Sequence, residues 1–227
     1  MHFLLAATAV VSLCACGVTS PPTAPSALIA DALPTAEGFE PAFYRALLFN
    51  GYESPNRLEP IRLLRGPLRI YLRTLDEAGA VDERSLDLVE RTLLDGVTVW
   101  SGDTFGITDI ERGTGTREQV PGWLTVKWTN RPAIECGRAT VGVDGGYIEL
   151  NSSGACSCGL NTVVYPRLVR HELGHAMGYY HTDGTSDVMF GRSIPSAGCG
   201  AGPSERERVH ARFAHAQARL SAMARRR

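Results

Sequence analysis

Residues 171–181 have the sequence HELGHAMGYYH, and the rest of the chain has to be arranged around this stretch. His171 and His175 are four positions apart, so on an α-helix their side chains project from the same face. A third histidine on the next helical turn would rise away from the other two. Gly178 avoids this, because a residue without a Cβ can take the left-handed conformation that ends a helix. His181 can then fold back from the following loop.

These residue types predict a catalytic zinc site. Three imidazoles at about 2.0 to 2.1 Å fill three positions of a tetrahedral Zn²⁺ and leave the fourth for a water whose pKa can fall to about 7. We therefore expect His171, His175 and His181 to be the metal ligands. Glu172 is expected to be the general base that takes a proton from the zinc-bound water and passes it to a departing amine. A β-branched residue in place of Gly178 is expected to abolish zinc binding.

The motif resembles HExxHxxGxxH of the metzincin zinc metallopeptidases. Met189, eight residues after His181, matches the Met-turn methionine that forms an apolar floor under the histidines of that family. The letters HELGH and VMF are most similar to the matrixin branch. The resemblance implies a zinc metalloendopeptidase acting on a protein or peptide substrate. It also implies an α+β fold: a metzincin/zincin-like domain with a twisted mixed β-sheet, an active-site helix, a Met-turn and a C-terminal helix.

The same resemblance assigns a place for the substrate. It implies an edge strand above the cleft that pairs with the substrate backbone, formed by Tyr147, Ile148, Glu149 and Leu150. Two features of some relatives are missing from the sequence. No Pro-Arg-Cys-Gly-type segment precedes the motif, so latency through a cysteine bound to the zinc is not expected. Position 191 is glycine rather than the tyrosine that serves as a fifth ligand in astacin-like and serralysin-like relatives.

Periodicity along the chain also favours an α+β domain. Alternating apolar residues predict strands at residues 68–72, 123–128 and 146–150, the last after an extended stretch at 140–143. Helical spacing predicts a short helix after Pro41 that could be a leftover prosegment, one over 82–96, one from Asn161 or Thr162 to Gly178, and a last one opened by the capping box Ser204–Glu207. On this last helix we expect Val209, Phe213, Ala216 and Leu220 to face inward and His210 and His215 to face solvent.

The N-terminus predicts export. Its apolar run of 11 residues has the length of a secretory signal core and is shorter than the roughly 20 residues of a membrane-spanning helix. It ends in a segment that resembles a bacterial lipobox, so residues 1–16 are expected to be a signal peptide with Cys16 lipidated. A proline-rich tether (17–40) and the catalytic domain (41–227) follow. We therefore expect a bacterial cell envelope lipoprotein that is attached to the membrane only through its lipid anchor. Plain secretion and a buried N-terminal helix are the alternatives.

Four further cysteines predict two disulfides, since an even number in an exported chain favours disulfide bonds over a thiolate metal site. They are Cys136, Cys156, Cys158 and Cys199. Cys156 and Cys158 would close a strained ring with each other, so we expect one to pair with Cys136 and the other with Cys199. The spacing leaves open which pairs with which.

The composition limits the classes of partner. With 227 residues, 44% of them hydrophobic and 21% charged, the chain fits one globular domain plus a short targeting segment, and we expect a monomer. A net charge of -1 gives no sign of nucleic-acid binding. The Asp144–Gly146 turn is a candidate calcium site or an ordinary turn. Two other functions stay open: a surface binding module that retains zinc without turnover, and an amidase acting on cell-wall or small-molecule amides.

Overall fold

The computed structural model describes residues 37–131, 135–153, 156–191 and 198–224. The predicted signal peptide, its Cys16 and residues 17–36 of the predicted tether lie outside the described residues. Within the described ranges the chain forms a mixed α+β domain with four helices, a five-stranded and mostly parallel sheet, and a separate two-stranded hairpin. No helix in this part of the chain is both long and apolar enough to cross a membrane.

Helices and strands do not alternate in a regular order along the chain. In chain order they are α1 (Pro41–Phe49), β1 (Leu68–Arg73), β2 (Leu75–Asp76), β3 (Gly79–Ala80), α2 (Glu83–Trp100), β4 (Ile107–Gly113), β5 (Trp123–Thr129), β6 (Gly137–Ala139), β7 (Tyr147–Asn151), α3 (Pro166–Met177) and α4 (Glu205–Ala224). The predicted strands at 68–72, 123–128 and 146–150 are confirmed to within two residues. The stretch at 140–143 is not a strand, because the segment that pairs with β7 lies just before it.

The large sheet has the strand order β4-β1-β5-β7-β6. Strands β4, β1, β5 and β7 are parallel, and β6 runs antiparallel to β7. The expectation that Tyr147, Ile148, Glu149 and Leu150 form the edge strand is therefore wrong. These residues pair with β5 on one side and with β6 on the other, and the three-residue strand β6 forms the edge.

Helix α2 packs against α3 and begins at the residue that the sequence predicts. Asp82 caps it: its Oδ1 accepts a hydrogen bond from the backbone N–H of Ser85 at 3.0 Å, as an N-cap side chain should. The predicted apolar stripe is fully buried and consists of Leu86, Val89, Leu93 and Val97. The helix continues to Trp100, beyond the predicted end at Gly96. A Cβ at Gly96 would lie 2.6 Å from the Leu173 side chain on α3, so close helix packing rather than a helix end accounts for this glycine.

The N-terminal helix α1 is part of the domain core. Leu47 and Leu48 are fully buried, and the Leu47 carbonyl accepts a hydrogen bond from the Tyr180 N–H at 2.8 Å. Phe39, which was assigned to the tether, packs against the rings of Tyr44 and His210. The folded domain therefore includes residues before Pro41, and α1 contributes to its core.

The last two helices differ from the sequence predictions at specific positions. Helix α3 begins at Pro166 and neither Asn161 nor Thr162 caps it; the Thr162 hydroxyl donates to the Val164 carbonyl instead. The capping box of α4 is confirmed, because Ser204 and Glu207 each accept a hydrogen bond from the other's backbone N–H. The prediction of which residues of α4 face inward is wrong. His210 and His215 are buried, whereas Leu220 is 60% exposed.

Both disulfides join segments that surround the site. Cys136 pairs with Cys156 and Cys158 pairs with Cys199, with Cα atoms 5.5 Å and 6.2 Å apart. Each separation lies in the usual range for a disulfide. The first bond ties the residue before β6 to the loop after β7. The second ties that loop to the segment that leads into α4.

Candidate metal centre

Helix α3 presents the first two histidines on one face. His171 and His175 are one turn apart, and their ring centroids are 4.8 Å apart. The helix ends at Gly178, which has a φ of 107° and donates its N–H back to the carbonyls of the last turn. A Cβ at this position would also lie 2.6 Å from the carbonyl oxygen of Arg62. Both the backbone conformation and the close contact require glycine, and the reversal that it permits brings His181 back to the helix.

The three imidazoles converge on one point. The Nε2 atom of His181 lies 3.0 Å from that of His175 and 3.3 Å from that of His171. Ligand nitrogens around a tetrahedral zinc, each at about 2.0 to 2.1 Å from it, are about 3.3 Å apart. Among the residues that the structure describes, this trio is the only group of His, Cys, Asp and Glu side chains close enough together to hold a metal ion.

Each ring is oriented by an oxygen atom on its other side. The Nδ1 atom of His171 lies 2.7 Å from the Val188 carbonyl, and that of His175 lies 2.8 Å from the Tyr179 carbonyl. The Nδ1 atom of His181 lies 2.5 Å from a carboxylate oxygen of Glu53. These oxygens can only accept, so each Nδ1 carries the proton and each Nε2 directs a lone pair at the common point. This tautomer is the one a metal ligand needs.

Burial keeps two of the imidazoles neutral. It lowers the pKa of His171 to about 4, and it lowers the pKa of His175 well below the usual value, with the neighbouring histidines adding to the effect. A metal ligand must be unprotonated, so these two imidazoles need not lose a proton at pH 7 before they bind a cation. The residues present therefore fit a zinc ion.

Glu172 lies beside the histidines without joining them. Its side chain is almost completely buried, and its Oε2 atom has no hydrogen-bond partner among the described residues. Burial raises the pKa of this carboxyl to about 8, and the nearby Glu135 carboxylate contributes in the same direction. A buried polar atom without a partner is costly, and an adjacent cation or bound water would satisfy it. The orphaned oxygen therefore also fits a metal site.

The position of Glu172 depends on a glycine that the sequence motif does not include. A Cβ on Gly137, the first residue of β6, would lie 2.7 Å from the Oε1 atom of Glu172 and 2.8 Å from its Cγ atom. The carboxylate side chain therefore occupies the space left by the missing side chain. Cys136, directly before Gly137, is held by its disulfide to Cys156. The edge strand and the glutamate are thus fitted to each other.

Met189 is fully buried below the helix. Its sulfur occupies the space that a Cβ of Gly174 would need. Gly174 lies between His171 and His175 in the sequence. The loop that carries it returns to the chain just after the third histidine, because the Thr182 N–H donates to the Met189 carbonyl at 2.9 Å. The loop from residue 182 to 190 is therefore closed, and its methionine contacts the helix from the side of the core.

A buried carboxylate on α4 holds this loop. Glu207 accepts hydrogen bonds from the backbone N–H groups of Val188 at 3.0 Å and Met189 at 2.8 Å, in addition to its capping bond with Ser204. Because the Val188 carbonyl orients His171, Glu207 supports the metal ligands through one intervening residue. The sequence identifies Glu207 as a capping residue, and only the three-dimensional packing assigns it this second role.

The histidines open into a cleft of ≈ 880 Å³. The edge strand β6 forms part of its wall, together with Glu53, Tyr165, Arg167 and the metal-site residues. The strand predicted to bind substrate, Tyr147–Leu150, is not part of the lining. At the candidate calcium turn, the Asp144 carboxylate accepts a hydrogen bond from the Gly122 N–H at 2.6 Å.

Comparisons with known sequences leave the family unassigned. No protein-family model matches the chain, and no curated protein matches it.

Several solved structures overlap with part of the fold. One is "Crystal Structure of metalloproteinase-II from Bacteroides fragilis", with 12% identity, a TM-score of 0.42, and coverage of 66% of this chain and 56% of that one. Another is "GM1 bound form of the ECX AB5 holotoxin", with 11% identity, a TM-score of 0.37, and coverage of 66% and 80%. A third, "Structure of a chaperone-substrate complex", has 16% identity, a TM-score of 0.38, and coverage of 67% and 34%. TM-scores at this level carry no argument about function, which therefore rests on the residues of the site.

Proposed function

We propose that the chain is a zinc-dependent metalloendopeptidase that hydrolyses peptide bonds in proteins. The observation that carries this proposal is the convergence of three Nε2 atoms, at 3.0 and 3.3 Å, next to a buried carboxylate without a partner and at the base of an open cleft. No fourth His, Cys, Asp or Glu among the described residues joins the trio. A structural zinc site uses four protein ligands, so three favour a catalytic site with one open position.

His171, His175 and His181 would hold the ion. When bound, zinc supplies a Lewis acid that lowers the pKa of a water molecule and polarises a carbonyl group. Glu172 then does the proton chemistry. As a carboxylate it accepts a proton from the attacking water, and as a carboxylic acid it donates that proton to the amine nitrogen when the C–N bond breaks. A cation among the histidines favours the carboxylate form and so opposes the effect of burial on the pKa of Glu172.

The substrate is proposed to lie along the edge strand as an added β-strand. We assign the substrate-binding role to Gly137–Ala139 rather than to Tyr147–Leu150, because β6 forms the edge of the sheet and lines the cleft. Backbone pairing of this kind holds an extended peptide with little dependence on its sequence. It is a specific reason to favour endopeptidase activity over hydrolysis of small amides, since a small amide offers no strand to pair.

The finer assignment is to the metzincin peptidases, in their matrixin branch. The left-handed Gly178 and the buried Met189, whose sulfur lies against the ligand helix, support it. In this proposal Met189 is the Met-turn residue and Gly178 delivers the third ligand. Export is part of the same proposal, and the two disulfides are compatible with it because such bonds persist in oxidising compartments. Attachment through Cys16 extends it to a cell envelope lipoprotein.

The test is the substitution Glu172→Gln. We expect it to lower the rate of peptide hydrolysis by about 10²- to 10⁴-fold, the usual contribution of a general base, while one zinc per chain is retained. Purified wild-type and variant proteins would be compared on a peptide library and on casein, with metal content measured by atomic emission. Addition and removal of a chelator shows whether the activity follows the metal.

The same experiment separates the rival functions. Equal hydrolysis of peptides by Glu172→Gln and wild type would contradict the proposed mechanism. Retention of zinc without peptide hydrolysis by either protein would favour a zinc-retaining binding module. Cleavage of muropeptides without cleavage of any library peptide would instead indicate an amidase. Absence of zinc from purified and zinc-incubated protein would overturn the proposal entirely.

A further inference from the structure

The third histidine differs from the other two in what orients it. His171 and His175 donate to backbone carbonyls of Val188 and Tyr179, which are neutral and close to the motif in sequence. His181 donates to Glu53, an ionisable side chain 128 residues away, at 2.5 Å. A carboxylate behind a metal-binding histidine fixes the ring and makes the other nitrogen a stronger donor to the metal.

The fold places Glu53 at this point through a tightly built turn. The turn follows α1, where Asn50 adopts a left-handed conformation with a φ of 56°. A Cβ on Gly51 would lie 2.9 Å from the Arg45 carbonyl, so the chain passes close to its own helix there. The Ser54 N–H donates to the Asn50 carbonyl at 2.9 Å and closes the turn. These contacts limit the positions that the Glu53 side chain can take.

The segment that carries the turn is hydrogen-bonded on one side to the loop that leads to His181 and on the other to the end of the metal-binding helix. Before the turn, the Leu47 carbonyl accepts from the Tyr180 N–H at 2.8 Å. After it, the Leu64 N–H donates to the Met177 carbonyl at 3.1 Å. Tyr180 directly precedes His181, and Met177 is the last residue of α3. The distance between Glu53 and His181 is therefore set by the packing of the domain.

We infer that Glu53 is a positioning residue of the metal centre, which holds the His181 ring and contributes the negative charge that raises the affinity for the cation. This inference rests on the proposed function and deepens it. The N-terminal segment is then a working part of the metal site, and the active protein has to retain it.

Two substitutions separate the charge of Glu53 from its hydrogen bond. In Glu53→Gln the amide oxygen can still accept from His181, but the charge is lost. In Glu53→Ala both are lost. Glu59→Gln is the matched control, because Glu59 belongs to the same segment and pairs with Arg62 rather than with a metal-site residue. Zinc affinity is measured by competition with a chromophoric chelator, and the cobalt-substituted proteins are compared by visible absorption.

We expect Glu53→Ala to bind zinc about 10- to 100-fold more weakly, the usual cost of removing such a partner, with Glu53→Gln between it and wild type. The cobalt spectrum of Glu53→Ala should shift, since the His181 ring is free to rotate. The metal-free proteins should unfold at the same temperature, whereas the rise in that temperature on adding zinc should be smaller in the variants. Glu59→Gln should match wild type in every measurement.

Two results would overturn the inference while leaving the proposed function in place. One is wild-type zinc affinity in Glu53→Ala. The other is a loss of thermal stability in the metal-free variant as large as the loss with zinc, which would indicate an ordinary structural contact. A wild-type protein that binds no zinc at all would instead remove both the inference and the proposed function.

Discussion

The position of the Glu172 carboxylate depends on the absence of a Cβ atom at Gly137. The missing Cβ of Gly137 leaves the space that the Glu172 side chain fills, with its Oε1, Cγ and Cδ atoms all within 2.9 Å of where that Cβ would be. A carboxylate that has to reach both a water molecule and a departing amine tolerates little displacement. A residue outside the motif therefore limits the position of the side chain that we propose as the general base.

We predict that Gly137→Ala lowers peptide hydrolysis by about 100-fold, the effect of a displacement of roughly 1 Å in a catalytic group. Zinc affinity should stay at the wild-type level, because Gly137 does not contact the histidine nitrogens. The measurement is kcat/KM on a peptide substrate together with zinc competition. Gly106→Ala is the control, since a Cβ at Gly106 would meet no atom within 4 Å. Full activity in Gly137→Ala would show that the side chain of Glu172 can move aside without loss.

The site residues divide into those that a sequence can reveal and those that it cannot. His171, Glu172 and His175 are predictable because helix geometry relates neighbours in sequence to neighbours in space. Glu53 and Gly137 carry no such signal. Each meets the site only through tertiary packing, and an isolated glutamate or glycine looks the same at many other positions in the chain.

At the scale of elements, errors arose where an element is short or where polar residues are buried. Strand β6 has three residues, too few for an alternating pattern, so periodicity does not predict it, and the family resemblance alone places the edge at β7. On α4 the apolar residues were assumed to face the core, yet His210 and His215 lie there. Both have an acceptor: His210 contacts the Arg206 carbonyl at 2.7 Å, and His215 contacts the Trp100 carbonyl at 3.0 Å. Satisfied hydrogen bonds make their burial tolerable.

Helix α4 supports the loop of the metal centre, and we predict that Glu207→Ala destabilises the protein strongly. The substitution leaves the backbone N–H groups of Val188, Met189 and Ser204 without their acceptor. At about 1 to 3 kcal/mol for each buried group, the free energy of unfolding should fall by about 3 kcal/mol or more. Urea denaturation of the metal-free protein measures this.

The matched control is Glu205→Ala, two positions earlier on the same helix, where the side chain is 76% exposed. Its effect should stay within about 0.5 kcal/mol, as for most surface substitutions. If Glu207→Ala were as mild as Glu205→Ala, the three N–H groups would have found other partners. The supporting role of α4 would then be wrong.

For the whole molecule, buried neutral histidines predict a loss of stability in acid. Burial lowers the pKa of His215 to about 4, and the charges of Arg219 and Arg65 act in the same direction. In the unfolded chain the same group titrates near the usual value of about 6.5. Between these values the unfolded chain binds more protons, so stability is full above pH 6.5 and declines as the pH falls toward 4.

We predict that His215→Gln flattens this decline. The glutamine amide can still donate to the Trp100 carbonyl, but it does not titrate. Urea denaturation at several pH values would give two curves, and their slopes should differ by up to about 1.4 kcal/mol per pH unit in this window. Parallel curves for the two proteins would show that His215 does not carry the acid sensitivity.

The pairing of Glu53 with His181 has a consequence for biosynthesis. Their separation of 128 residues means that the first partner leaves the ribosome long before the second exists. Glu207, which holds the histidine loop, is translated later still. The proposed metal site can therefore be complete only after segments from both ends of the domain have packed together.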